Sequence, residues 1–90
     1  MEHFTTKCSV ISNGITILKN RNVSITINTD PKIQMTQWNG MLYLIGNESI
    51  IFYRSKGQTF EIELMDGRKG KFYVKQPGHT IAIEGSGPLE

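Results

Sequence analysis

Ninety residues permit one domain with a thin core, because a chain of this size buries only about 60% of the surface it exposes when unfolded. Composition, 38% hydrophobic and 20% charged, is that of a globular chain rather than a disordered one, and no stretch approaches the roughly 18 apolar residues of a membrane span. A net charge of +2 is too small to imply a nucleic-acid partner by itself, so neither a membrane nor a nucleic acid is the first partner to expect.

The opening Met-Glu-His-Phe-Thr-Thr-Lys-Cys has neither the basic start nor the apolar run of a secretory signal. The single cysteine, Cys8, cannot form an internal disulfide. Both observations lead to the expectation of a cytoplasmic protein, or of a mature segment freed of its signal. Asn22-Val-Ser24 and Asn47-Glu-Ser49 match the glycosylation pattern but fall in Asn-rich turn sequences with no other secretory signature, and are read as chance.

Ile occurs twelve times and Thr eight times, against one Ala, Ala82. Branching at Cβ restricts χ1 in a helix and suits a pleated sheet. Apolar and polar residues alternate in Val23-Ser-Ile25-Thr-Ile27 and in Phe60-Glu-Ile62-Glu-Leu64, which is the period of a strand. The spacing predicts strands near 4–12, 15–19, 23–29, 33–38, 41–46, 50–55, 58–64, 68–76 and 80–84. Turn chemistry separates them at Asn13-Gly14, Asn20-Arg21-Asn22, Asp30-Pro31, Asn39-Gly40, Gly46-Asn47, Lys56-Gly57, Asp66-Gly67 and Pro77-Gly78.

Short turns fix register. Around Asn13-Gly14, Val10 is expected opposite Ile17; across 20–22, Ile17 opposite Ile25 and Ile15 opposite Ile27. A turn at Asn39-Gly40 sets Met35 against Leu44 and Gln37 against Leu42, and one at Lys56-Gly57 sets Tyr53 against Phe60 and Ile51 against Ile62. At Asp66-Gly67 a two-residue loop would oppose apolar Ile62 with Lys71. A three-residue loop, Met65-Asp66-Gly67 with Gly67 at positive φ, instead pairs Phe60 with Phe72, Glu61 with Lys71 and Glu63 with Lys69.

The expected core faces are Leu42, Leu44, Ile51, Tyr53, Phe60, Ile62, Leu64, Phe72 and Val74 on one sheet, and Val10, Ile15, Ile17, Val23, Ile25 and Ile27 on another. Packed together they make a small all-β antiparallel sandwich or partly closed barrel of consecutive hairpins, with little or no helix. Residues 1–84 form the domain. Residues 85–90, Gly-Ser-Gly-Pro-Leu-Glu, are expected to be a flexible tail of linker or cloning-scar chemistry.

Two surfaces remain as candidate sites. Trp38, Tyr43, Ile45, Ile50 and Phe52 fall on the face opposite the expected core and would form an apolar patch for a protein partner or a second copy of the chain. The alternative is a single-stranded nucleic-acid surface of Arg54, Arg68, Lys69, Lys71, Tyr73 and Lys75, a basic and aromatic strand of the kind that small β-barrels use to hold single strands. The expected Glu61 and Glu63 pairing would cancel much of its field.

Gly67-Arg68-Lys69-Gly70 has the letters of a Gly-x-x-Gly backbone clamp, but that clamp joins two helices and here strands flank it. Cys8, His3 and His79 show no nucleophile or metal-ligand spacing. Cys8 reads as a small buried hydrophobe. No enzyme, metal or cofactor is expected, which leaves an interaction module.

Overall fold

The computed structural model describes residues 2–30, 32, 35–54 and 57–90, with the side chain of Met35 excepted. Its elements run β1 (Glu2–Ser12), β2 (Ile15–Asp30), β3 (Met35–Tyr43), α1 (Ser49–Arg54), β4 (Thr59–Leu64), β5 (Lys69–Gln76) and β6 (Thr80–Gly85). The strands close into one barrel in the order β1-β2-β3-β6-β5-β4, with β4 returning to β1 and every pairing antiparallel. Two three-stranded meanders, β1-β2-β3 and β4-β5-β6, are therefore joined along both seams, and the chain passes between them through α1. Closure pairs the strands that a sandwich would leave as edges.

The hairpins at 13–14 and 65–67 form as their residues dictate. Asn13 and Gly14 both take positive φ, 51° and 80°, the requirement of a type I′ turn. Gly67 takes φ 96°, its N–H donates to Leu64 O at 3.0 Å and Leu64 N–H donates to Arg68 O at 2.8 Å. That is the expected three-residue loop with its glycine bulge, and it sets Phe60 opposite Phe72, Glu61 opposite Lys71 and Glu63 opposite Lys69.

Elsewhere the sheet departs from the expected hairpins. Asn20-Arg21-Asn22 is not a loop: β2 continues through it for 16 residues. Opposite β1, the register steps from Cys8↔Arg21 to Val10↔Leu18 and on to Ile11↔Thr16, so β2 carries an extra residue at each step. Asn20, at φ 55°, sits in the first of these bulges. Bulges bend and twist a long strand, which a six-stranded barrel needs at its corners. Leu18 therefore replaces Ile17 opposite Val10, and the pairs Ile17–Ile25 and Ile15–Ile27 do not exist.

Asn39-Gly40 is likewise inside β3, with Gly40 opposite Ile25 of β2 and Ile83 of β6. The expected strand over 50–55 is helix through Arg54, so the expected pairs Tyr53–Phe60 and Ile51–Ile62 do not form; Phe60 stands opposite Phe72 and Ile62 opposite Gly70 instead. Positions 33 and 34 of the expected fourth strand, Pro31 of the Asp30-Pro31 turn, Ser55, and Lys56 of the Lys56-Gly57 turn lie outside the described residues.

Val10, Val23, Ile25, Leu42, Phe60, Ile62, Leu64 and Phe72 are buried as expected, joined by Cys8, Leu18, Trp38, Phe52, Ile81 and Ile83. Ile17, Ile27, Leu44, Ile51 and Val74 pack half-buried against them. Ile15 and Tyr53, both assigned to the core by alternation, are 67% and 60% exposed. Ile15 keeps the partner its turn dictates, Ser12, and is exposed because it sits at the tip of that hairpin; Tyr53 is turned out by helical rather than strand geometry.

Candidate interaction surface

The barrel has two dissimilar ends. At one, the chain leaves β3, turns through residues 44–48 and enters α1. Glu48 organises this passage: its Oε1 accepts from Ile45 N–H at 2.8 Å and from Arg21 Nε at 2.8 Å, while Oε2 accepts from Arg21 Nε at 3.1 Å and from Arg21 Nη2. Arg21 Nη1 donates in turn to Lys19 O at 2.6 Å. Bidentate, charge-assisted bonding of this kind fixes orientation as well as contributing energy. It ties the α1 approach to the bulged stretch of β2.

The Arg21 guanidinium holds the Glu48 carboxyl below the usual range, against the opposing effect of desolvation, and the Ile45 N–H adds to the lowering. A carboxyl with a lower folded than unfolded pKa stabilises the fold above its unfolded value, near about 4.3 for Glu, and that stabilisation is lost as pH falls through the folded value. Glu48→Gln is expected to cost about 1–2 kcal/mol at neutral pH. The gap between the urea midpoints of the two proteins should then close in acid below the folded pKa. A gap unchanged in acid would show that the stabilisation does not come from the charge.

Within α1 the helical spacing sends Phe52 inward and leaves Ile50 and Tyr53, three residues apart, on the outer face. Ile50 is 46% exposed and Tyr53 60%; Tyr43 at the end of β3 is 43% exposed and Ile45 in the turn 63%. Beside them, Tyr53, Val74, Lys75 and Pro77 line a hollow of about 450 Å³ floored by Phe52. Three of the five residues assigned to a partner surface, Tyr43, Ile45 and Ile50, are thus at this end. Trp38 and Phe52 are not surface residues, each being 2% exposed. Phe52 turns inward because the segment is helix, and Trp38 because β3 runs straight through Asn39-Gly40 and keeps position 38 on the same face as Leu42. Tyr53 joins the surface instead, for the reason that removed it from the core.

The basic residues are distributed differently. Lys69, Lys71, Tyr73 and Lys75 alternate along the outer face of β5, and Arg54 lies on α1. Lys69 Nζ is 3.5 Å from Glu63 Oε2, Lys75 Nζ is 3.2 Å from Glu84 Oε2, and Lys71 stands opposite Glu61. Arg68 turns back on its own hairpin, pairing with Asp66 at 2.8 Å and lying 4.6 Å over the Phe4 ring. Its hydrogen bonds hold the Asp66 carboxyl below the usual range. The positive groups of β5 therefore alternate with negative ones.

Burial pushes the Cys8 thiol up to about 12, with Arg21 opposing only in part, so at neutral pH it stays protonated and non-nucleophilic. His3 is held across β1 and β2 by Thr26 Oγ1 at 2.9 Å and Ser24 Oγ at 3.4 Å. These residues edge a hollow of about 340 Å³ over Gly40, which sequence patterning did not single out. Among the described residues no three His, Cys, Asp or Glu side chains gather as a metal site, and no helix is long and apolar enough to cross a membrane. Comparisons with protein-family models, with curated proteins and with solved structures return no match.

Proposed function

We propose that this chain is a non-enzymatic interaction module that engages a protein surface, a partner's or that of a second copy, through the α1 end of its barrel. One observation carries the proposal: Tyr43, Ile45, Ile50 and Tyr53, all large and apolar or aromatic, are exposed together along one stretch of chain. Aromatic and aliphatic side chains so grouped are the composition of an interface centre. The Arg21–Glu48 bonds hold the stretch in place before binding, which lowers the ordering cost of association. The nucleic-acid alternative ranks below this, since Glu63 and Glu84 occupy two of the lysines it would use.

The test is a full-length Ile45→Asp, Ile50→Asp variant compared with the natural chain by sedimentation over a wide concentration range and by chemical cross-linking in a lysate of the source cells. The variant should keep its unfolding free energy, from urea denaturation, within about 0.5 kcal/mol, as surface changes do, while losing the self-association or the cross-linked partner. Identical sedimentation and cross-linking profiles for the two proteins would overturn the proposal.

A further inference from the structure

At the opposite end of the barrel the residues expected to be a free tail lie against β5. The β5–β6 ladder ends at Phe72↔Gly85, which leaves the Lys69–Lys71 stretch of β5 without β6 as a neighbour. Residues 86–90 take that place: Ser86 N–H donates to Lys71 O at 2.8 Å, and Lys69 and Glu90 exchange reciprocal N–H to O bonds, both at 2.9 Å. Trp38 Nε1–H donates to Gly87 O at 3.0 Å. Leu89 packs half-buried on the core.

Two glycines make the room. A Cβ on Gly85 would stand 2.2 Å from Trp38 Nε1, and one on Gly70 would stand 3.0 Å from both Trp38 Cζ2 and Leu89 Cδ1. Their bare backbones admit the indole and leave a niche above it for one aliphatic side chain. Ser86, Gly87, Pro88 and Glu90 are exposed, and a hollow of about 450 Å³ lies between the segment and Lys69, Gly70 and Lys71. The segment is thus attached by main-chain bonds to a strand edge, by one carbonyl to a buried indole and by one apolar side chain. Between those attachments it bends at Ser86 and Gly87, the latter at φ 109°, so that the step from Ser86 to Glu90 faces only the step from Lys71 to Lys69. Main-chain bonds to a strand edge with one side chain in a pocket are a recurring way for a peptide to dock on a sheet.

We infer that this mouth of the barrel is a binding groove for a short bent peptide, filled in cis by residues 86–90 and open to an equivalent segment supplied in trans. The ligand it takes presents to Trp38 the carbonyl of a glycine, the residue that tolerates the positive φ of Gly87, and, two residues later, an aliphatic side chain to the Gly70 niche. This site lies at the other end of the barrel from the α1 surface and does not depend on that reading.

Native-state hydrogen exchange on the unmodified chain is the first test. The amides of Lys69 and Glu90 should exchange through a local opening insensitive to urea, while that of Phe72 exchanges only with global unfolding. The second is an NMR titration of full-length Leu89→Ser with a synthetic peptide of residues 85–90. The Trp38 indole and Lys69 amide resonances should return towards their natural positions, and a peptide carrying Ser in place of Leu should leave them unmoved. Exchange of Lys69 and Glu90 only with global unfolding, no response to the peptide, or a Leu89→Ser chain that does not fold would each overturn the inference, by showing the segment to be a fixed part of the domain.

Discussion

Phe52→Ala is expected to destabilise the domain by about 3–5 kcal/mol, the range for removing a buried phenylalanine. The whole domain has of the order of 5–15 kcal/mol to lose. Phe52 is 2% exposed and meets Phe60 edge to face at 5.2 Å, and Phe60 stacks at 5.7 Å on Phe72. One residue of α1 thereby continues an aromatic column that runs into the barrel. A six-residue helix has no stability of its own, so its place depends on this anchor and on the Glu48 bonds beside it. Tyr53→Ala, one residue along and exposed, should change stability by no more than about 0.5 kcal/mol. Urea denaturation of the three proteins makes the comparison. A small loss for Phe52→Ala would mean that α1 does not plug the barrel and that position 52 belongs to the surface.

The all-β class and two of its hairpins are legible because their determinants are local. Asn13-Gly14 needs only two residues that tolerate positive φ, and the Met65-Asp66-Gly67 loop follows from the cost of opposing Ile62 with a lysine. The bulges of β2 are not local in that sense. Asn20 does adopt the left-handed conformation that its type permits, but whether that marks a loop or a bulge depends on whether β1 continues alongside, and it does. Likewise Ser49–Arg54 holds four consecutive apolar or aromatic residues with no period to read, so strand and helix were equally compatible with it. Its helix is set from outside, by Glu48 accepting from Ile45 and from Arg21, 27 residues away.

The candidate surface inherits the same division. Tyr43, Ile45 and Ile50 are exposed as alternation along the chain suggested, but for positions 45 and 50 the reason is the turn and helix rather than a sheet face. Arg21 carries no signal in the sequence that would link it to Glu48. The docking of residues 86–90 was hidden by their composition: Gly-Ser-Gly-Pro is linker chemistry when nothing receives it, and what receives it here is Trp38, seated between two glycines distant in sequence.

Gly40→Ala is expected to cost about 3 kcal/mol or more, at the upper end of what overpacking does. Gly40 is buried in the middle of β3 with β2 on one side and β6 on the other. A Cβ there would stand 2.2 Å from the carbonyl oxygen of Ser24 and 3.2 Å from Ile25 Cδ1. The isoleucine tip can rotate away. A backbone carbonyl held between two strands cannot, so β2 and β3 must part along their ladder. Gly14 provides the control, because it follows an asparagine too and yet a Cβ on it would meet nothing within 4 Å. Gly14→Ala suffers only the strain of a side chain at φ +80°, about 1 kcal/mol. Urea midpoints for the two variants should therefore separate clearly, with Gly40→Ala the weaker protein. Equal losses would mean that both Asn-Gly pairs are turns, and β3 would have to be redrawn as a hairpin with Trp38 on its outer face.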